Sequence, residues 1–220
     1  MDMEQGSNTF SKRLVLYFVG LFIMTVGVTV SVKSDLGVTP ISSIPYTMTV
    51  VSGMDLGVAS IIFSVIMVLL QIVVLRREFR RIDLLQIPIG IVFGMFLTFC
   101  GGFLYLFPDP PNFLMQIVLA LVSTVLVAIG VLMYVSAGFV PLAPEGLMLA
   151  VSRMSGMEFP VVKVINDVTM VLISLVTCLI MVHSLGSVGI GTVIAALLVG
   201  TEVRWLRRRF LKPKKPDVPS

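Results

Sequence analysis

The chain has 220 residues, 57% of them hydrophobic and only 13% charged, and a soluble domain needs far more polar surface than that to face water. Its apolar runs are long and unbroken rather than alternating, which excludes a transmembrane β-barrel and leaves an all-α membrane protein that crosses the bilayer several times. The formal charge of +4 is concentrated near the C-terminus. With no folded basic domain to carry it, that charge points to anionic lipid and away from nucleic acid.

Residues 1–11 form a polar N-terminal tail. The apolar run 12–32 can cross a core of about 30 Å at about 1.5 Å per residue. It lacks a small-x-small exit, so it reads as a retained helix and not as a cleaved signal. A short element, 40–53, carries Pro40 and Pro45 and cannot span. Residues 56–75 span and are closed by Arg76, Arg77, Arg80 and Arg81, and 84–107 span again. An outer linker, 108–112, holds Pro108, Asp109, Pro110 and Pro111 and stops any helix. The second half follows the same order: 113–135 span, 144–155 are short, and 159–182 and 187–203 span. A basic tail, 204–220, contains Arg207, Arg208, Arg209, Lys212, Lys214 and Lys215.

This similarity extends to individual residues. An offset of 103 positions lays Gly27 on Gly130, Ser52-Gly53-Met54 on Ser155-Gly156-Met157, and VIMVLLQIV (65–73) on VTMVLISLV (168–176). It also sets Pro40-Ile41-Ser42 against Ala143-Pro144-Glu145. Two copies are therefore expected, repeat 1 over 12–107 and repeat 2 over 113–203, each with three long helices and one short one. If the short elements crossed the membrane, the copies would be parallel and one basic cluster would lie outside whichever way the chain inserted. If they are re-entrant, the copies are inverted. Lys12, Arg13, the Arg76–Arg81 loop, Arg153 and the basic tail then all face the cytoplasm, as basic residues tend to do. The expected fold is six transmembrane helices plus two re-entrant short helices in an inverted 3+3 repeat, with both termini cytoplasmic. Interrupted helices meeting near the midplane of inverted repeats are the construction of secondary transporters.

Glu145 is the first candidate for chemistry. An acid in a first helical turn gains less than about 1 kcal/mol from the exposed N–H groups, whereas a charge at membrane depth costs about 2.5–3.5 kcal/mol. It fits either a substrate or coupling-ion role at depth or a capping role near the interface. Pro144 and Gly146 flank it, and the free N–H groups there suit an anionic group. Asn166 and Asp167 come next, with Lys163 four residues before Asp167 and so on the same helix face. These form either a pair reaching for the interface or a proton or cation relay in which Lys163 controls the charge of Asp167. In the first short element Thr39, Ser42 and Ser43 offer hydroxyls that serve a solute or close backbone left open by the prolines. Asp35 stands two residues from Lys33 and suits a pair at the outer surface. Cys100 and Cys178 lie in apolar runs and suit packing rather than a disulfide or a metal. No nucleophile–base arrangement, phosphate loop or metal-ligand spacing occurs, so neither an enzyme nor a cofactor is expected.

The paired short elements, the LLQIP run at 84–88 with GMF at 94–96, PEGLMLAVSRMSG at 144–156 and VGIGTVIAALLVG at 188–200 together resemble the YczE/YitT-like family of bacterial integral membrane proteins, over about 19–203. Members carry Pro-x-Asp in the short elements. Here the first copy reads Pro40-Ile41-Ser42, and the second has Glu145 in the acidic position. The resemblance implies a transporter-like protein of the bacterial cytoplasmic membrane and names no reaction. The expectation is a small secondary transporter for a polar or zwitterionic solute held between Thr39–Ser43 and Pro144–Gly146, with membrane lipid and a small-molecule substrate as partners. The size is compatible with a homodimer. A substrate-capturing subunit of an energy-coupling vitamin importer and a non-transporting membrane scaffold are the alternatives.

Overall fold

The computed structural model describes residues 2–104 and 106–210. Eight α-helices follow one another: α1 (Asp2–Ser34), α2 (Pro40–Ser52), α3 (Leu56–Leu75), α4 (Gln86–Leu104), α5 (Phe113–Ser136), α6 (Ala143–Ser155), α7 (Phe159–Met181) and α8 (Ile190–Phe210). Two 3-10 turns, Arg76–Glu78 and Arg81–Leu85, join α3 to α4. The expected element order holds throughout.

Two boundaries move. α1 begins at Asp2, so helix runs through the polar tail expected over 1–11; Asp2 and Glu4 supply acid where helix starts favour it, and no proline interrupts the segment. α8 continues to Phe210, into the segment read as a basic tail, because the first proline there is Pro213. Lys212, Lys214 and Lys215 lie outside the described residues.

Five segments are long and apolar enough to cross a membrane: Phe10–Ser34, Leu56–Glu78, Arg81–Leu104, Phe113–Ser136 and Phe159–Met181. α8 is not among them, since Glu202, Arg204 and the following arginines occupy its second half.

The short helices end alike. Gly53 (φ 74°) and Gly156 (φ 71°) take the left-handed conformation that glycine tolerates best, and each donates its N–H back into the helix, to Thr49 O and Ser152 O. A serine side chain bonds the preceding turn in both, Ser52 to Met48 O and Ser155 to Val151 O.

α1 and α5 cross at the centre, antiparallel. A Cβ on Gly20 would lie 2.6 Å from Tyr134 N, one on Gly130 2.6 Å from Met24 N, and one on Gly27 2.8 Å from Val127 N. Contacts therefore fall in α5 as they rise in α1, and only glycine lets the backbones meet this closely. α1 and α4 run parallel, with Phe22 against Phe96 and Thr25 against Cys100.

Helix contacts form two groups: α1, α4, α5 and α8, with α5 touching α1 and α8; and α2, α3, α6 and α7, each packed on two others. Each group has its own apolar cluster. The first centres on Tyr17, Leu21, Met24, Leu97 and Val127, the second on Phe63, Met67, Val68, Ala143 and Met170.

Candidate functional site

α6 starts without a side-chain cap. Its N-cap residue, Leu142, has nothing to accept a hydrogen bond, and Pro144 sits in the first turn, where a missing N–H costs nothing. Glu145 follows, half-buried. Among the described residues it is given no hydrogen bond or ion pair, yet the charges of Lys163 and Asp167 reach it from α7, and its own charge reaches Tyr17 on α1. Tyr17 turns its hydroxyl to Val140 O, 2.7 Å away, in the loop before α6.

Lys163 Nζ donates to Asp167 Oδ2 at 2.5 Å. The other carboxylate oxygen of Asp167, Oδ1, is buried with no partner. Acceptor capacity is thus left over beside a carboxylate, which is what a mobile proton or an incoming donor requires. Asn166 is half-buried and spends an N–H on Met170 Sδ at 3.5 Å, a weak acceptor.

The floor under this group is polar. Gln71 and Gln86, each 1% exposed, exchange amide bonds of 2.7 and 3.1 Å, and Gln71 Nε2 also donates to Ala143 O at 3.0 Å. Gly146 rests on this pair: a Cβ there would lie 2.6 Å from both amide atoms of Gln86. Sequence reasoning missed both glutamines. The available signal was an uncharged amide inside each of two apolar runs, where a polar side chain needs a partner.

The candidates of the first copy stand apart. Thr39 donates to Ser42 at 3.1 Å, and Ser43 donates to Pro40 O at 2.7 Å. Val38 N reaches Ser187 O at 3.1 Å, tying this tip to the start of α8. No hydrogen bond among the described residues joins Thr39, Ser42 or Ser43 to Glu145, Lys163, Asn166 or Asp167. What the two tips share is the second apolar cluster, on which Ile41, Ile44 and Leu147 pack.

On the side where α1 ends, a cavity of about 760 Å³ lies between the two helix groups, with Lys33, Asp35, Asp55, Asp109 and Gln116 among its lining. Lys33 pairs with Asp109 at 2.5 Å, and not with the nearer-in-sequence Asp35, whose positive φ of 57° turns the chain away after α1. Asp55 caps α3 through Gly57 N and Val58 N and takes a short hydrogen bond from Thr98. Among the described residues no group of three potential metal ligands occurs.

A helical membrane protein with several apolar spans, carrying an acid-and-lysine cluster around a short broken helix, is the class that these features define. A family model described as a family of unknown function, DUF6198, matches residues 11–208, and the chain belongs to that family. It is similar to an uncharacterized membrane protein, YczE, of Bacillus subtilis (strain 168), at 26% identity over 195 residues, covering 88% of this chain and 84% of that protein. The YczE-like resemblance read from the motifs is thus the family found. No solved structure matches.

Proposed function

We propose that this protein is a small secondary transporter that moves a polar or zwitterionic solute across the bacterial cytoplasmic membrane by alternating access. The observation that carries the reading is the antiparallel crossing of α1 and α5, the opening helices of the two copies: Gly27 meets Val127, and the residues at the 103-residue offset, Gly130 and Met24, meet in the same way. An exchange of this kind is expected of inverted repeats. Matching glycine ends on α2 and α6 support the same duplication. In this reading α8 is the sixth crossing, α2 and α6 are re-entrant, and both termini face the cytoplasm, so that Arg13, the Arg76–Arg81 loop and Arg153 share a side.

Glu145, Lys163 and Asp167 form the coupling group, with Asn166 and Gly146 beside it, while Thr39, Ser42 and Ser43 line the other approach. A carboxylate with an open acceptor suits an amine or a coupling proton, and the uncapped start of α6 suits an acid group. No catalytic step is assigned.

Uptake by proteoliposomes, with and without a pH gradient, is the test. A solute found by thermal-shift screening of amino acids, amines and vitamins is expected to enter wild-type vesicles, and Glu145→Gln or Asp167→Asn to lower uptake about tenfold, a change of about 1.4 kcal/mol. Wild-type rates in both variants would remove these residues from the mechanism.

A further inference from the structure

The two bodies into which the helices pack are not the two repeats. One holds α1 and α4 of the first copy with α5 and α8 of the second; the other holds α2 and α3 with α6 and α7. Every candidate residue, from Thr39 to Ser43, from Pro144 to Gly146 and from Lys163 to Asp167, stands on the second body or at its helix starts. The outer cavity lies between the bodies, lined from both.

The bodies are joined chiefly where α3 crosses α4. There a Cβ on Gly94 would lie 2.6 Å from Gly57 O, one on Gly90 would lie 2.7 Å from Ser64 Cβ, and Gly57 is in equally close contact with Gly94. At the 103-residue offset these glycines become Pro160, Val193 and Leu197, and the corresponding helices, α7 and α8, scarcely touch. Val164, Val193 and Leu197 are 63%, 59% and 69% exposed, left to lipid where their counterparts are zipped together.

We infer that the α2–α3–α6–α7 body is a carrier that swings against a fixed α1–α4–α5–α8 scaffold, hinged at the α3–α4 glycine contact and opening on the α7–α8 side. Lipid tails are as apolar as valine and leucine, so closing or parting α7 and α8 exchanges equivalent contacts. Parting α3 and α4 forfeits backbone packing that only glycines allow. Packed interfaces of this sort move between discrete arrangements, and this swing would alter the mouth of the outer cavity. Its purpose rests on the transport reading, but its existence requires no solute.

Dipolar EPR on the full chain in lipid nanodiscs tests it, with Cys100 and Cys178 replaced by alanine and nitroxides attached to introduced cysteines. Val164→Cys with Leu197→Cys, and separately Val168→Cys with Val193→Cys, report the opening side; Val58→Cys with Met95→Cys reports the hinge. All six positions are exposed apolar ones, so labels there face lipid. Two distances differing by about 5 Å, the size of a one-turn helix shift, are expected for the opening pairs, and one narrow distance for the hinge pair. A single narrow distance at the opening pairs, or two distances at the hinge, overturns the inference. Two distances without uptake of any solute would sink the transport reading alone, whereas uptake with a single opening distance would sink the hinge alone.

Discussion

At the start of α2 the carbonyl of Pro40 accepts a hydrogen bond from Ser43, three residues on in the same helix. At the start of α6 the corresponding carbonyl, Ala143 O, accepts instead from Gln71 on α3. The exchange is one of size. Ser43 corresponds to Gly146 and Gln71 to Ser174, so a serine facing a serine in one copy becomes a glycine facing a glutamine in the other. One helix start closes on itself; the other is closed by its neighbours and so depends on α3 and α4 being in place. The lesson is that a duplicated backbone can keep its caps and lengths while moving its polar chemistry into one copy, the copy that also holds Glu145.

Removing the long amide breaks this arrangement hardest. Gln71→Leu leaves Ala143 O and the Gln86 amide buried without their partner, each unmet group being worth about 1 kcal/mol or more. A loss of about 2 kcal/mol is expected in denaturant unfolding of the detergent-solubilised protein. Stability unchanged by that substitution would mean that the start of α6 does not lean on α3.

The next effect sharpens the size exchange. Gly146→Ser alone sets a Cβ against Gln86 and should cost about 1.5 kcal/mol, as overpacking does. Combined with Gln71→Ser it empties the space that Gly146 was keeping clear, and the hydroxyl introduced on α6 can then bond Ala143 O as Ser43 bonds Pro40 O. The double variant is expected to be less destabilised than the sum of the singles by about 1 kcal/mol, in the range of coupled neighbours. Simple additivity would show that the two positions do not compensate each other.

Much of the architecture was legible because it is local. Glycine caps, prolines and apolar run lengths place the helices, and the 103-residue offset predicts that Gly53 and Gly156 end them alike. The ion pair of Lys163 with Asp167 follows from four-residue spacing. Three features were not legible, each because it depends on which helices become neighbours. The Gln71–Gln86 pair needs α3 and α4 folded back on one another beside Gly146. Lys33 turns to Asp109 across 76 residues of chain, past an Asp35 that is closer in sequence. Thr39, Ser42 and Ser43 were read together with Glu145 from the alignment of the two tips, but apolar side chains from α3 and α7, Phe63 and Met170 among them, gather where those tips approach.

The smallest effect concerns the other partner in the exchange. Ser174, the counterpart of Gln71, is fully buried, and among the described residues its hydroxyl has no hydrogen-bond partner. Ser43, which the symmetry would offer it, already donates to Pro40 O. Ser174 lines an apolar cavity of about 260 Å³ between α2 and α7, together with Thr47 and Thr177. A hydroxyl held there loses its solvation and gains nothing, so taking it away removes a penalty instead of a bond. Ser174→Ala is expected to leave unfolding unchanged or to raise stability by less than about 1 kcal/mol, in contrast with the loss at Gln71. A destabilisation as large as that of Gln71→Leu would mean that the hydroxyl is satisfied, and that the start of α2 also relies on a neighbouring helix.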